Sequence, residues 1–215
     1  MTDFAESLVQ AAEPDWTRAT THRFTVELAN DVLSDDVWHN YLIQDYAFVD
    51  TLTSLVGYAV GKAPTMTEKT TFSGFLSVLT GVEDAFFKRS FEAAGVARAD
   101  WDGAAASEVT AAFEDLFADA WSGSYADVLA VFLPVEWVYL TWATAQKDKT
   151  PRAAYDEWIM LHNVPEFRDF VMFMRDELNR VSATLSETEK ARVSALFSRA
   201  CELEVAFFDS VYAQP

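Results

Sequence analysis

The sequence predicts an all-α protein, a single-domain multi-helix bundle, and three observations predict it. Gly and Pro are scarce, 7 and 6 in 215 residues, whereas an all-β chain needs a turn every ~8–12 residues. Those that occur fall between long periodic segments. Within the segments, apolar residues recur at steps of three and four, the spacing of one helix face. With 51% of residues hydrophobic and 14% aromatic, a sizeable core is available to bury those faces.

Helices are expected near 3–12, 15–29, 35–61, 66–94, 105–121, 125–147, 151–162, 164–183 and 187–212. The third begins at Ser34, an N-cap followed by Asp35 and Asp36, whose charges suit the positive end of the helix dipole. Thr65 with Glu68 opens the fourth as a capping box. Phe72, Leu76, Leu79, Phe86 and Phe87 cover one of its faces. In the sixth, Val128, Phe132, Val135, Tyr139 and Ala143 step by four, three, four and four. Pro134 falls inside it, where a missing backbone donor frees the carbonyl of Ala130 and bends the segment. Thr150-Pro151 places Pro at the first position of the seventh. Asn163, Pro165 and Glu166 mark the eighth as a cap with an early proline. Ser186 with Glu189 is a second capping box, and Leu196, Ala200, Leu203, Phe207 and Val211 line the ninth helix. Several helices are apolar on more than one face, so they sit inside the bundle rather than on its rim. No internal repeat, low-complexity run or linker divides residues 1–215.

Charge narrows the partners. Sixteen basic against 34 acidic residues give −18, and no Lys/Arg stripe is visible. That excludes the electrostatic footprint of nucleic-acid binding and disfavours anionic membrane surfaces. One cysteine, Cys201, allows no internal disulfide and no Cys-rich metal site. MTDFAESLVQ lacks the basic-then-apolar pattern of a signal peptide, and no apolar run approaches the ~18 residues of a membrane span. The expectation is a cytoplasmic protein.

An acid within an apolar run is informative, because burying an unpaired carboxylate is costly. Three stand out. Asp45 lies in YLIQDYAFV, with Tyr41 one turn before and Phe48 one turn after. Glu136 lies in VLAVFLPVEWVYLTW, three residues before Tyr139. Glu204 lies in ACELEVAFF, near Cys201, Phe207 and Phe208. Each acid shares a helix face with an aromatic. Such acids are either solvated and paired with Arg, or they line a small pocket with aromatic walls. A pocket of that kind suits a flat, amino-bearing heterocycle, because carboxylates accept from amino groups and aromatic faces stack on rings. No phosphate-binding glycine motif and no HExxH is present, and no Glu has a His three residues later, as a di-iron bundle requires. Cys201 reads as a small buried hydrophobe or as a thiol nucleophile. His162 reads as a helix-end histidine or as a pocket residue.

At these segments the sequence resembles the TenA family, the thiaminase II proteins of thiamine salvage. Tyr41-Leu42-Ile43-Gln44-Asp45-Tyr46 is similar to the family's YxLQD-type element. Ser122-Gly123 through Leu133-Pro134 to Trp137-Val138-Tyr139 is similar to its SGxxxEILAxLLPCxWxY stretch. Glu204 with Phe207 resembles its terminal ExxF element, and His22-Arg23-Phe24 sits where the family often has His-Pro-Phe.

The resemblance implies a haem-oxygenase-like fold, a homo-oligomer (dimer or tetramer), no cofactor, and hydrolysis of an aminopyrimidine. The implied substrate is thiamine, or a breakdown product with an aminomethyl or formylaminomethyl group in place of the thiazole. By the same resemblance, Asp45 holds the exocyclic amino group and a ring nitrogen. Glu204 acts as acid and base, Tyr139 supports the reacting centre, and Phe48 and Phe207 stack on the ring. Tyr41, one turn before Asp45, and His162, in its reading as a pocket residue, are further binding candidates from their own positions in the chain.

The chain also departs from the family pattern. The family's cysteine nucleophile falls on Val135, and Glu136 follows it, ~100° further round the helix. Tyrosines are missing near Ala112 and at His162, and Phe48 replaces a frequent tyrosine. The sequence is closer to the branch that lacks the cysteine. Activation of water by a carboxylate, Glu136 or Glu204, replaces thiolate attack in this reading. The alternatives are a non-catalytic pyrimidine-binding or oligomeric interaction protein, and a metal-dependent oxidase.

Overall fold

The computed structural model describes residues 3–146 and 150–213, and among these no strand occurs. The helices are α1 (Phe4–Ala11), α2 (Asp15–Thr20), α3 (Arg23–Ala29), α4 (Asp35–Lys62) and α5 (Met66–Val78). A π-helical turn, Leu79–Glu83, leads without a break into α6 (Asp84–Ala94). Then come α7 (Arg98–Trp101), α8 (Glu108–Ser122), α9 (Tyr125–Thr144), α10 (Ala153–Leu161), α11 (Pro165–Ser182) and α12 (Glu187–Ala213).

Capping side chains fix most of the starts. Ser34 Oγ accepts from the backbone N–H of Val37, and Thr65 Oγ1 accepts from that of Thr67. Ser186 and Glu189 cap each other's backbone groups as the sequence predicts. A further capping box, Ser124 with Asp127, starts α9. It has room only because residue 123 is glycine: a Cβ there would collide with the Asp127 carboxylate.

Several expectations are corrected. The segment expected as one helix over 15–29 is two, because the ring of His22 accepts from Phe24 N–H and caps α3. α8 starts at Glu108, later than 105, and the short α7 went unforeseen. α10 starts at Ala153, not at Pro151. Val164 rather than Asn163 is the N-cap of α11, although Pro165 does take its first position. α9 ends at Thr144 with Ala145 as its C-cap, earlier than the expected end at 147, itself outside the described residues. α9 runs through Pro134 as continuous helix. On α5 the buried rings are Phe72 and Phe75, while Leu76 is half-buried.

One contiguous hydrophobic cluster joins the helices. α9 is its axis, packed against α12, α11, α8, α4 and α2. Seventeen of its 20 residues are buried, so its sides are apolar all round. Contrary to the sequence reading, α9 is long and apolar enough to cross a membrane by length and composition alone. In the fold, 89% of its most apolar window is buried against the other helices.

Candidate active site

Three helices carry the predicted acids inwards. On α4, Tyr41, Asp45, Phe48 and Leu52 recur at helical spacing and all are buried. Glu136 comes from the axial helix α9 and Glu204 from α12. Asp45, Glu136 and Glu204 are 3%, 5% and 2% exposed, so all three are core residues. Gln44, the neighbour of Asp45, fastens α4 to the start of α8. Its Nε2 donates to Ala105 O at 3.2 Å. Its Oε1 accepts from Ser107 N at 2.8 Å and Thr110 Oγ1 at 2.8 Å.

A small cavity lies among these helices. Asp45, Phe48, Glu83, Glu136, Tyr139 and His162 line it, with Val135 and Trp158. Val135 and Glu136 both reach the wall, so the cavity takes adjacent positions of α9 and needs no kink at Pro134. About 20 Å³ is open to the centre of a water-sized sphere, room for about one water molecule. Glu204, Tyr41 and Phe207 stand outside the lining. Glu204 is near enough that its charge raises the Glu136 carboxyl. Phe207 packs edge-on to Tyr41 at 6.0 Å between centroids and tilted to Phe48 at 6.1 Å.

Hydrogen bonds tie the polar groups into one network. Trp158 Nε1 donates to Tyr41 Oη at 3.0 Å, and the hydroxyls of Tyr41 and Tyr139 lie 2.9 Å apart. The Tyr41 hydroxyl also lies near enough to Asp45 to favour its ionised carboxylate. Asp45 Oδ2 is buried without a partner.

Electrostatics separates this site from an ordinary core. Burial raises the Asp45 carboxyl to about 7, against the weaker pull of the Tyr41 hydrogen bond. Burial, then the charge of Asp45, raises Glu83 to about 8 and Glu204 well above the usual carboxyl range. Glu136 is also pushed well up, by burial and then by Glu83, Glu204 and Asp45. No Lys or Arg lines the cavity to offset the four acids. His162 is pushed down to about 4 by burial, so it is neutral at pH 7. Its Nδ1 lies 2.9 Å from Trp158 O; the carbonyl only accepts, so Nδ1 carries the proton and Nε2 is left as an acceptor. His162 is thus both the C-cap residue of α10 and a wall of the cavity.

Other candidates are structural. The Cys201 thiol is buried and pushed up, chiefly by that burial, which disfavours the thiolate a nucleophile needs. His22 caps α3, with Nε2 3.2 Å from Asp209. Among the described residues, no group of three or more His, Cys, Asp or Glu is arranged to hold a metal ion.

Sequence reasoning missed Glu83, Trp158 and Phe113. Phe113 meets Phe48 edge-on at 5.0 Å, beside the position where the resemblance expects a tyrosine. Trp158 does carry a signal, as the one indole of α10, one turn before His162. Glu83 carries none, because it follows exposed Gly81 and Val82 in the π-helical turn.

The TENA/THI-4/PQQC family model matches residues 9–214. An aminopyrimidine aminohydrolase of Halalkalibacterium halodurans is 26% identical over 214 residues, 97% of this chain and 95% of that one. An aminopyrimidine aminohydrolase of Helicobacter pylori is 22% identical over 212 residues, 97% of this chain and 98% of that one. Among solved structures, a TenA family transcription regulator from Silicibacter sp. TM1040 superimposes with a TM-score of 0.87 at 25% identity, covering 98% of this chain and 97% of that one. A TenA homologue from P. horikoshii OT3 gives 0.86 at 21% identity, covering 98% and 99%. The fold is therefore the all-α, haem-oxygenase-like one, and with the family model spanning nearly its whole length the chain belongs to the TENA/THI-4/PQQC family.

Proposed function

We propose that the protein is an aminopyrimidine hydrolase, replacing the amino-bearing side arm of a pyrimidine with a hydroxyl by carboxylate-assisted attack of water. The observation that carries this reading is the uncompensated acid cluster. Three carboxyls lining a cavity without a cation, with Glu204 buried beside them and one free buried oxygen on Asp45, are expensive to keep. They suit a ligand that brings its own amino groups. The name aminopyrimidine aminohydrolase on two relatives that cover nearly the whole chain supports the same class.

In this reading Asp45 Oδ2 accepts from the ring's exocyclic amino group, while the nearby Tyr41 hydroxyl favours the ionised carboxylate. Phe48 and Phe207 stack on the ring. Glu204, protonated near neutral pH because burial raises it, gives a proton to the pyrimidine ring. The cationic arm supplies the countercharge that lets the raised Glu136 carboxyl give up its proton to solvent on binding. Glu136 then takes a proton from the water whose oxygen attacks the methylene carbon, and Tyr139 supports the reacting centre. The carbon–nitrogen bond breaks, the arm leaves as ammonia and takes the proton held by Glu136, and the ring returns its proton to Glu204: R–CH2–NH3+ plus water gives R–CH2–OH plus NH4+. Val135, at the cysteine position, supports the cysteine-free branch and a water mechanism over a covalent one. The cavity holds about one water molecule as it stands, so the walls must part for the ring. That same tightness favours the second reading, a pyrimidine-binding or oligomeric interaction protein without turnover.

Incubating the protein with thiamine and with aminomethyl and formylaminomethyl pyrimidines, followed by mass spectrometry, tests the proposal. A hydroxymethyl pyrimidine from any of the three is the expected product. Absence of product from all of them, with pyrimidine binding intact, selects the second reading. A homo-oligomer belongs to the same proposal and is checked by light scattering.

A further inference from the structure

We propose that Glu83 is a specificity-determining residue that sets the cavity to take a pyrimidine whose side arm is a protonated amine, in preference to the same ring with a neutral arm. This rests on the aminopyrimidine reading above and assigns it a second lining residue, from a different helical segment than the ring anchor.

The placement is the first argument. Glu83 ends the π-helical turn between α5 and α6 and lines the same cavity as Asp45 of α4. An α-helical register would continue Phe75 and Leu79 through Val82 to Phe86. The wider turn leaves Val82 53% exposed and swings Glu83 inwards instead. Single π turns recur at functional sites because they re-aim one side chain in this way. The residue as a whole is half-buried, lines the cavity, and is close enough to Asp45 to feel its charge.

The second argument is the missing countercharge. Asp45 has a buried oxygen without a partner, and no Lys or Arg is on the wall. Two carboxyls so placed do not both ionise cheaply, so in the empty site at least one retains a proton. Burial and the Asp45 charge lift Glu83 to about 8, so of these two carboxyls Glu83 is the one that keeps its proton near neutral pH. An ammonium arm supplies the absent charge and displaces that proton. A formylated arm is neutral and leaves the Glu83 carboxyl with no cation to meet.

The approach has the same sign. Val49 of α4 lines both this cavity and a larger outer groove of about 550 Å³. Asp50, Asp84, Asp102 and Glu114 are on that groove's wall; Lys88 pairs with Asp84 at 2.7 Å and Arg98 with Asp102 at 2.7 Å, so the negative surplus there comes from Asp50 and Glu114. A cation is favoured on both sides of Val49.

Steady-state kinetics of wild type and Glu83→Gln on aminomethyl and formylaminomethyl aminopyrimidines provide the test. The ratio of kcat/KM for the charged arm over the neutral arm should fall at least ~10-fold in Glu83→Gln, mostly through KM of the amine, as expected for a lost charge-assisted contact. An unchanged ratio in a folded variant overturns the proposal and leaves the hydrolase reading standing. Should Glu83→Gln not fold, calorimetry on the wild type decides. Aminomethyl pyrimidine binding near pH 7, in two buffers of different ionisation enthalpy, should release protons, and no release overturns the proposal. A wild type that hydrolyses neither pyrimidine overturns the hydrolase reading and this inference together.

Discussion

Two sets of acids are buried in this protein to nearly the same degree, and they are handled in opposite ways. Asp127 and Glu177, 6% and 7% exposed, lie at the side of α9 facing α11 and α12. Each is fully partnered. Asp127 closes the α9 capping box and lies 3.3 Å from Arg192 Nε. Glu177 accepts from Arg180 at 2.8 and 2.7 Å and from the Tyr125 hydroxyl at 3.2 Å. Asp45 and Glu136, no more exposed, line a cavity with no cation on its wall, and Glu204, as deeply buried, is near enough for its charge to raise Glu136. Burial alone therefore does not mark a site. An acid with its arginine beside it holds helices together, whereas one left without a countercharge weakens the fold unless a ligand completes it.

The contrast is broken most directly by matched amide substitutions. Glu204→Gln should cut turnover by ~10²–10⁴, the usual worth of an acid–base group, with no loss of thermal stability. Glu177→Gln should do the reverse, lowering stability by roughly 1–2 kcal/mol as the Arg180 pair is lost, with turnover per folded molecule near wild type. Equal effects of the two on turnover, measured beside thermal unfolding, would erase the distinction. Asp45→Asn comes next in size. It keeps shape but loses an acceptor for an amino group, so aminopyrimidine affinity should weaken ~10-fold or more, equivalent to roughly 1.5–3 kcal/mol. Unchanged affinity in a titration of the folded variant removes Asp45 as the anchor.

A pH series sharpens the comparison with a smaller effect. The folded carboxyl of Asp45 is raised to about 7, against 3.8 for its ordinary value. Its contribution is harmless below about pH 4, and stability is lost as pH rises through 7. His162 acts the other way, because its lowered value loses stability as pH falls from 6.5 towards 4. Subtracting the unfolding curves of Asp45→Asn from wild type isolates Asp45, and the variant should gain on wild type between about pH 4 and 7 and level off above. A difference that does not grow with pH contradicts the unpaired, buried state of that carboxyl. Cys201→Ala should show the smallest change in catalysis, within ~3-fold, since the buried thiol is pushed away from ionisation. A drop beyond ~100-fold without unfolding would restore covalent catalysis.

Much of this contrast was legible in the chain itself. Ser34, Thr65 and Ser186 mark helix starts because capping is local chemistry, decided within four residues. Asp45, Glu136 and Glu204 stand out because a charge in an apolar run breaks the helical stripe. Glu83 does not, because a π turn changes the number of residues per turn and so changes which residue faces inwards. No periodicity argument made at 3.6 residues per turn recovers it. His22 was hidden for a related reason. The periodic pattern continues across residues 15–29, and the break depends on an imidazole reaching back to a backbone N–H. The rings of Phe113 and Trp158 required the fold to bring α8 and α10 against α4.

α9 has a consequence for the life of the chain before it folds. As the peptide emerges, Tyr125–Thr144 is indistinguishable by length and apolar character from a membrane-spanning segment, and only the later docking of α4, α8, α11 and α12 hides it. A protein built this way must close its bundle quickly or be recognised by the machinery that handles nascent apolar segments. Glu136 stands close to the middle of that stretch. On insertion scales an acidic residue at the centre of a span costs on the order of 3 kcal/mol, with aspartate as the measured case. The carboxyl that lines the cavity in the finished fold thus also opposes misdelivery of the unfinished one.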